Sequence, residues 1–161
     1  DQPHVPSEIG SYTASDVDVV LKQAALAASF GIDAFCYFCE WTGASPSAQP
    51  EIDAVKNLAA AFPFCVCWEN GITDPVPDTA TRQSVPRRQY SVAESLVFFR
   101  TLLPLFVDRY YLRVNGRPLF IVAMPELLND LPFVIASWRE ECVRGGSGDP
   151  YLVGVGGVRK T

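Results

Sequence analysis

Apolar residues in this chain fall into short unbroken runs separated by segments in which they recur every three or four positions. Ala34–Cys39, Phe64–Trp68, Leu119–Ala123 and Tyr151–Val155 are the runs. Their length, β-forming content and flanking turn residues predict strands buried on both faces. Between them, Val19, Val20, Ala24, Leu26 and Ala27 share one helical face, as do Ile52, Val55, Leu58 and Ala59. Leu96, Val97, Phe99, Leu102 and Leu103 form a third such set, and Phe133, Ile135, Ala136 and Trp138 a fourth. This alternation predicts a parallel sheet with helical crossovers.

Local signals set the boundaries. Ser15 with Asp16 and Asp18 predicts a helix start, and Gly31 its end. Residues 50–61 read as a second helix, stopped by Pro63. Ser91-Val92-Ala93-Glu94 has capping-box spacing, and the helix it opens is expected to kink or end at Pro104. Tyr110–Val114 followed by Asn115-Gly116 reads as a short strand and tight turn. Residues 132–144 read as the last helix. The stretch from Gly71 to Gln89 carries Pro75, Pro77 and Pro86 without periodicity and reads as a loop hung from a strand's C-terminal end, where long loops are often functional.

Composition narrows the class. The 161 residues are 48% hydrophobic with a formal net charge of -5, which suits one globular domain spanning 1–161. No basic stripe is present, which argues against nucleic acid as a partner. No apolar run approaches the roughly 18 residues of a membrane span. Cys36, Cys39, Cys65, Cys67 and Cys142 are odd in number, and four of them lie in expected strands. Cys36 and Cys39 are three apart and would face opposite sides of a strand, so a shared metal is not expected. Packed free thiols suit a reducing, cytoplasmic compartment. Asp16-x-Asp18, superficially like a metal-binding acidic pair, is better explained as helix capping. Gly154-Val155-Gly156-Gly157 lacks the following helix of a nucleotide cradle. No cofactor and no metal are therefore expected.

Chemistry gathers where the strands end. Glu40, Glu69 and Glu126 each follow an apolar run, and in (β/α) barrels the C-terminal strand ends build the site. Neighbouring strands lie about 4.8 Å apart, which brings such acids into the roughly 5–10 Å range of glycosidase carboxylate pairs. Trp41, Trp68, Tyr37 and Tyr90 are aromatics of the kind that stack on sugar rings, and Asn70 is suited to a hydroxyl. An ordinary solvated acid or a core tryptophan explains any one of these residues taken alone. His4 is the single histidine, and no Gly-x-Ser-x-Gly elbow accompanies it, so a Ser-His or Cys-His nucleophile is not expected.

Several segments resemble the WbsX-type, glycoside hydrolase family 99-like domain. They are Gln2-Pro3-His4-Val5-Pro6 with Glu8-Ile9-Gly10-x-Tyr12, Gly31-Ile32-Asp33-x-Phe35-Cys36-Tyr37 with Trp41, and Pro63–Trp68. Gln89-Tyr90, Tyr110–Ile121 and Tyr151–Val155 continue the series in order. The resemblance implies a (β/α)8 barrel, here a partial TIM-like barrel covering about strands 2 to 5, with the remaining strands or another chain needed to close the fold. It implies glycosyl transfer or hydrolysis on a carbohydrate in surface polysaccharide, lipopolysaccharide or O-antigen metabolism. In related endo-mannosidase-type hydrolases the acid/base glutamates come from later strands, so this segment alone is expected to be inactive and prone to associate. Two departures fall on the proposed face. Glu69-Asn70-Gly71-Ile72-Thr73 stands where the family continues Ala-Asn-Glu and then a Trp-Thr-Arg-Arg-Trp run, and Met124 precedes Pro125 where the family has Arg. They leave open a non-catalytic glycan-binding or scaffold module, or an unrelated α/β protein whose acids are incidental.

Overall fold

A computed structural model describes residues 17–41, 62–71 and 89–156. The expected helix over 50–61, the N-cap at Ser15, the segment around His4 and residues 72–88 lie outside these. Among the described residues the order is α1 (Val17–Ser29), β1 (Phe35–Cys39), β2 (Phe64–Trp68), α2 (Val92–Phe106), β3 (Arg113–Val114), β4 (Arg117–Val122), α3 (Leu131–Arg144) and β5 (Tyr151–Gly154).

β1 pairs with β2, β2 with β4, and β4 with β5, all parallel. Phe35 stands opposite Phe64 and Cys39 opposite Trp68, while Val66–Trp68 face Phe120–Val122. The fold is the parallel α/β arrangement that the alternation of runs predicts. β3 turns back antiparallel on β4 through Asn115 and Gly116, whose φ angles of 52° and 78° are those of a two-residue hairpin turn. This hairpin enters between the starts of β2 and β4. Phe64 donates its N–H to Tyr110 at 3.0 Å, and Leu119 donates to Leu112 at 3.0 Å.

The core lies between the sheet and α2 and α3. Phe64, Val66, Trp68 and Phe120 are fully buried there with Phe98, Phe99, Leu102 and Trp138. Phe99 stacks on Trp138 with ring centres 5.0 Å apart and planes 8° from parallel. α2 opens with the expected capping box: Ser91 Oγ accepts from Glu94 N–H, and the Glu94 carboxylate accepts from Ser91 N–H at 3.0 Å.

α2 does not stop at Pro104 but continues to Phe106. A proline inside a helix costs about 3 kcal/mol. Burial of Leu105 and Phe106 beyond it offsets that at roughly 1.5–3 kcal/mol each. Arg113 then donates to the terminal Phe106 carbonyl, placing a cation at the negative end of the helix.

Candidate functional site

Strand alternation decides which side chains reach the face opposite the core. Cys39 and Trp68 end β1 and β2 with their side chains fully buried on the helix side. Glu40 and Glu69 follow them, and the ladder persists one step further: Glu69 N–H donates to Cys39 at 2.8 Å. Glu40 and Glu69 therefore stand side by side at the C-terminal rim, about 4.8 Å apart along the backbone, and project from the face opposite the core. Both are half-buried. A peptide bond register, and not sequence proximity, brings these two acids together.

The same row continues across the sheet. Ala123 N–H donates to Trp68 and Val155 N–H to Val122, each at 2.9 Å. Ala123, not Glu126, is thus the β4 counterpart of Glu69. Glu126 sits exposed in a 3-10 turn spanning Pro125–Leu127. Pro125 starts that turn and leans over β5, close to Gly154, so the chain leaves the rim before it reaches the acid. The expectation of three equivalent strand-end acids is corrected to two, with Glu126 displaced into the following turn.

Asn70 and Met124 join the loops behind the two central strands. Asn70 is fully buried; its Nδ2 donates to Met124 O at 2.7 Å and its Oδ1 accepts from Met124 N–H at 2.8 Å. The side chain expected to meet a sugar hydroxyl is instead committed to the backbone of β4's exit. The expected stacking aromatics are also placed differently. Trp68 packs on Phe98, Tyr90 and Trp138 at ring separations of 4.4, 5.0 and 6.2 Å, and Trp41 packs on Phe98 at 5.6 Å. Trp41, Trp68 and Tyr90 are core residues that hold the strand ends from behind. Tyr37 is partly buried on that same side, edge-on to Phe64.

Below the rim acids, the face opposite the core carries exposed Cys36 and Phe38 on β1 and buried Cys65 and Cys67 on β2. Phe38 is 62% exposed. The Cys65 and Cys67 thiols hydrogen-bond to Cys36, which holds Cys36 below the ordinary thiol range and pushes the other two above it. Cys39 faces away, into the core, as its three-residue offset from Cys36 requires. Among the described residues no group of three or more His, Cys, Asp or Glu side chains is arranged to hold a metal ion. Among the same residues no helix is long and apolar enough to cross a membrane.

The sequence reading missed the Asn70–Met124 ring and the thiol cluster. Only the cross-strand register reveals either one, although the every-second-residue spacing of Cys65 and Cys67 signals a shared face.

Comparison with known proteins agrees with this fold. The family model described as Glycosyltransferase WbsX matches residues 1–160. The chain belongs to the WbsX family. Two curated relatives, each an uncharacterized protein WxcX from a strain of Xanthomonas campestris pv. campestris, are 30% identical over 160 residues. Those residues are 99% of this chain but 23% of each relative, so the chain spans about a quarter of their length. A solved glycoside hydrolase-like protein superposes with a TM-score of 0.61 at 18% identity, covering 96% of this chain and 47% of its own. The GH99 endo-alpha-mannosidase from Bacteroides thetaiotaomicron superposes at 0.56 and 18% identity, covering 91% and 40%. These likenesses establish the fold of the WbsX segment as part of a (β/α) barrel.

Proposed function

We propose that this WbsX segment is part of a carbohydrate-active domain that acts on glycosidic bonds, by transfer or hydrolysis, in surface polysaccharide or O-antigen metabolism. The observation that carries the reading is the pairing of Glu40 and Glu69 at the rim of adjacent parallel strands. Two carboxylates flanking an oxocarbenium-like centre supply the acid and base that either reaction needs. Family membership and the barrel-like neighbours support the substrate class.

In this proposal Glu69 is the first acid and Glu40 its partner, while Glu126 reaches the sugar from the turn after β4. Asn70 positions the two loops. Trp41, Trp68, Tyr37 and Tyr90 stiffen the rim from the helix side, and His4 contributes from outside the described residues. The remaining barrel strands complete the pocket. Free thiols at all five cysteines support a cytoplasmic setting.

Glu69→Gln and Glu40→Gln in the full-length protein test this, assayed by sugar release or transfer from a panel of activated glycosides. Turnover falling by about 100-fold or more in either variant supports acid/base chemistry. Unchanged turnover refutes it. Ala123, at the rim position where a third acid was expected, favours a second reading: a glycan-binding module without turnover. That reading predicts no turnover in the wild type and only modest loss of glycan affinity in Glu69→Gln.

A further inference from the structure

Cys36 and Cys65 are direct partners across the parallel β1–β2 ladder. Their side chains leave the same face, and strand spacing sets their Cα atoms about 4.8 Å apart, inside the window of roughly 4.4–6.8 Å that a disulfide spans. Cys67 faces the same way but stands opposite Phe38, one same-face position further along. Its diagonal separation from Cys36, about 7–8 Å, falls beyond what a disulfide bridges without backbone movement. Cys36 is exposed, whereas Cys65 and Cys67 are buried. The arrangement thus has an accessible thiol to meet an oxidant and a covered neighbour in reach to trap the product.

We propose that Cys36 and Cys65 form a reversible disulfide across β1 and β2 when the protein meets a peroxide. The Cys36 sulfur attacks one peroxide oxygen, the O–O bond breaks, and Cys36 becomes a sulfenic acid with release of water or hydroxide. The Cys65 sulfur then attacks the Cys36 sulfur. An S–S bond forms, the S–O bond breaks, and the departing oxygen leaves as water with the Cys65 proton. In sum two thiols and one peroxide give a disulfide and two waters.

Several features fit this role. Cys65 and Cys67 both hydrogen-bond to Cys36, an arrangement that stabilises its thiolate, the attacking form. Cys142 offers an internal contrast: it is buried away from the sheet thiols, and burial pushes it up to about 11. The inference is independent of any glycosidic chemistry.

Peptide mapping of the purified, reduced protein after brief hydrogen peroxide treatment tests it. Trypsin separates segments 23–56 and 57–82, which carry Cys36 with Cys39 and Cys65 with Cys67. The expected product is one intrachain cross-link between these segments, lighter by two hydrogens, with fragment ions placing the bond on Cys36 and Cys65. Dithiothreitol restores the starting mass. Cys65→Ser and Cys36→Ser abolish the cross-link, and Cys67→Ser retains it. A bond on Cys67 or Cys39, a disulfide between two chains, a sulfinic acid on Cys36 as the main product, or faster loss of Cys142 than of Cys36 overturns the proposal. The wild-type fragment ions decide this even where a serine variant fails to fold.

Discussion

The carboxamide of Asn70 closes a ring with the backbone of Met124, donating to its carbonyl at 2.7 Å and accepting from its N–H at 2.8 Å. The contact joins residues 54 positions apart and fixes the exit of β2 against the exit of β4. Asn70→Ala removes both hydrogen bonds to the part-buried Met124 backbone and is expected to lower stability by about 1–3 kcal/mol. Asn70→Asp keeps the acceptor but loses the donor when ionised. Its burial raises the carboxyl pKa above the unfolded value, so the variant is most stable below the unfolded pKa and loses stability as pH rises through the folded one. Urea titrations of both variants at several pH values measure this, and a flat pH response in Asn70→Asp would remove the ring from the account.

Gly71 lies directly beneath the Met124 thioether. A Cβ there would come within 2.5 Å of Sδ and 2.9 Å of Cε. Because these atoms are the far end of a flexible side chain that can shift, Gly71→Ala is expected to destabilise by only about 1 kcal/mol, the low end for overpacking. Met124→Ala should relieve the clash, so the double variant should be more stable than the sum of the singles by about 0.5–1 kcal/mol. Additive losses in the four-member cycle would show that Met124 simply moves aside.

Much of the fold is legible from the sequence where the signal is local. Ser91 and Glu94 are three residues apart and cap α2 as their spacing requires; Asn115-Gly116 makes the hairpin. The apolar runs of β1, β2 and β4 mark strands because each buries at least part of one face. Features that depend on register are not legible. That Glu40 meets Glu69 and that Cys36 meets Cys65 follows from the β1–β2 register, and that Asn70 serves Met124 from the β2–β4 register. Trp68 was ambiguous for a different reason. An indole suits both a sugar platform and a core, and only the side of the sheet it faces distinguishes them. Pro104 does not end α2 because local proline chemistry is outweighed by burial of Leu105 and Phe106 beyond it.

Glu141 links α2 to α3. Its Oε1 accepts from Arg100 at 2.7 Å and from Arg144 at 2.9 Å. The Arg100 hydrogen bond, with the charges of Arg100 and Arg144, holds this carboxyl below its usual value despite the opposing effect of burial. A depressed folded pKa contributes stability that is present above the unfolded carboxyl pKa and is lost as pH falls through the folded one. The wild-type melting temperature should therefore fall more steeply on acidification below about pH 5 than that of Glu141→Gln. Above that range the two curves should run parallel, with the variant lower, and salt should narrow the gap because Arg100 is half-exposed. Parallel curves down to acid would mean that the pair contributes nothing measurable.

Trp68 separates a packing role from a sugar-binding role most sharply. Its ring is fully buried among Tyr90, Phe98 and Trp138, and its Nε1 has no hydrogen-bond partner among the described residues. Trp68→Ala removes a large core side chain and is expected to cost about 3–5 kcal/mol. Trp68→Phe keeps most of the aromatic contact and deletes an N–H that gains nothing where it is, so its cost should be much smaller, about 1–2 kcal/mol. Because the ring faces the helices while Glu40 and Glu69 face the opposite side, Trp68→Phe should leave glycan affinity of the folded protein unchanged. Denaturation and glycan titration on the same preparation distinguish the roles. Affinity lost without loss of stability would place the indole against the sugar and require the β2 rim to turn over on binding.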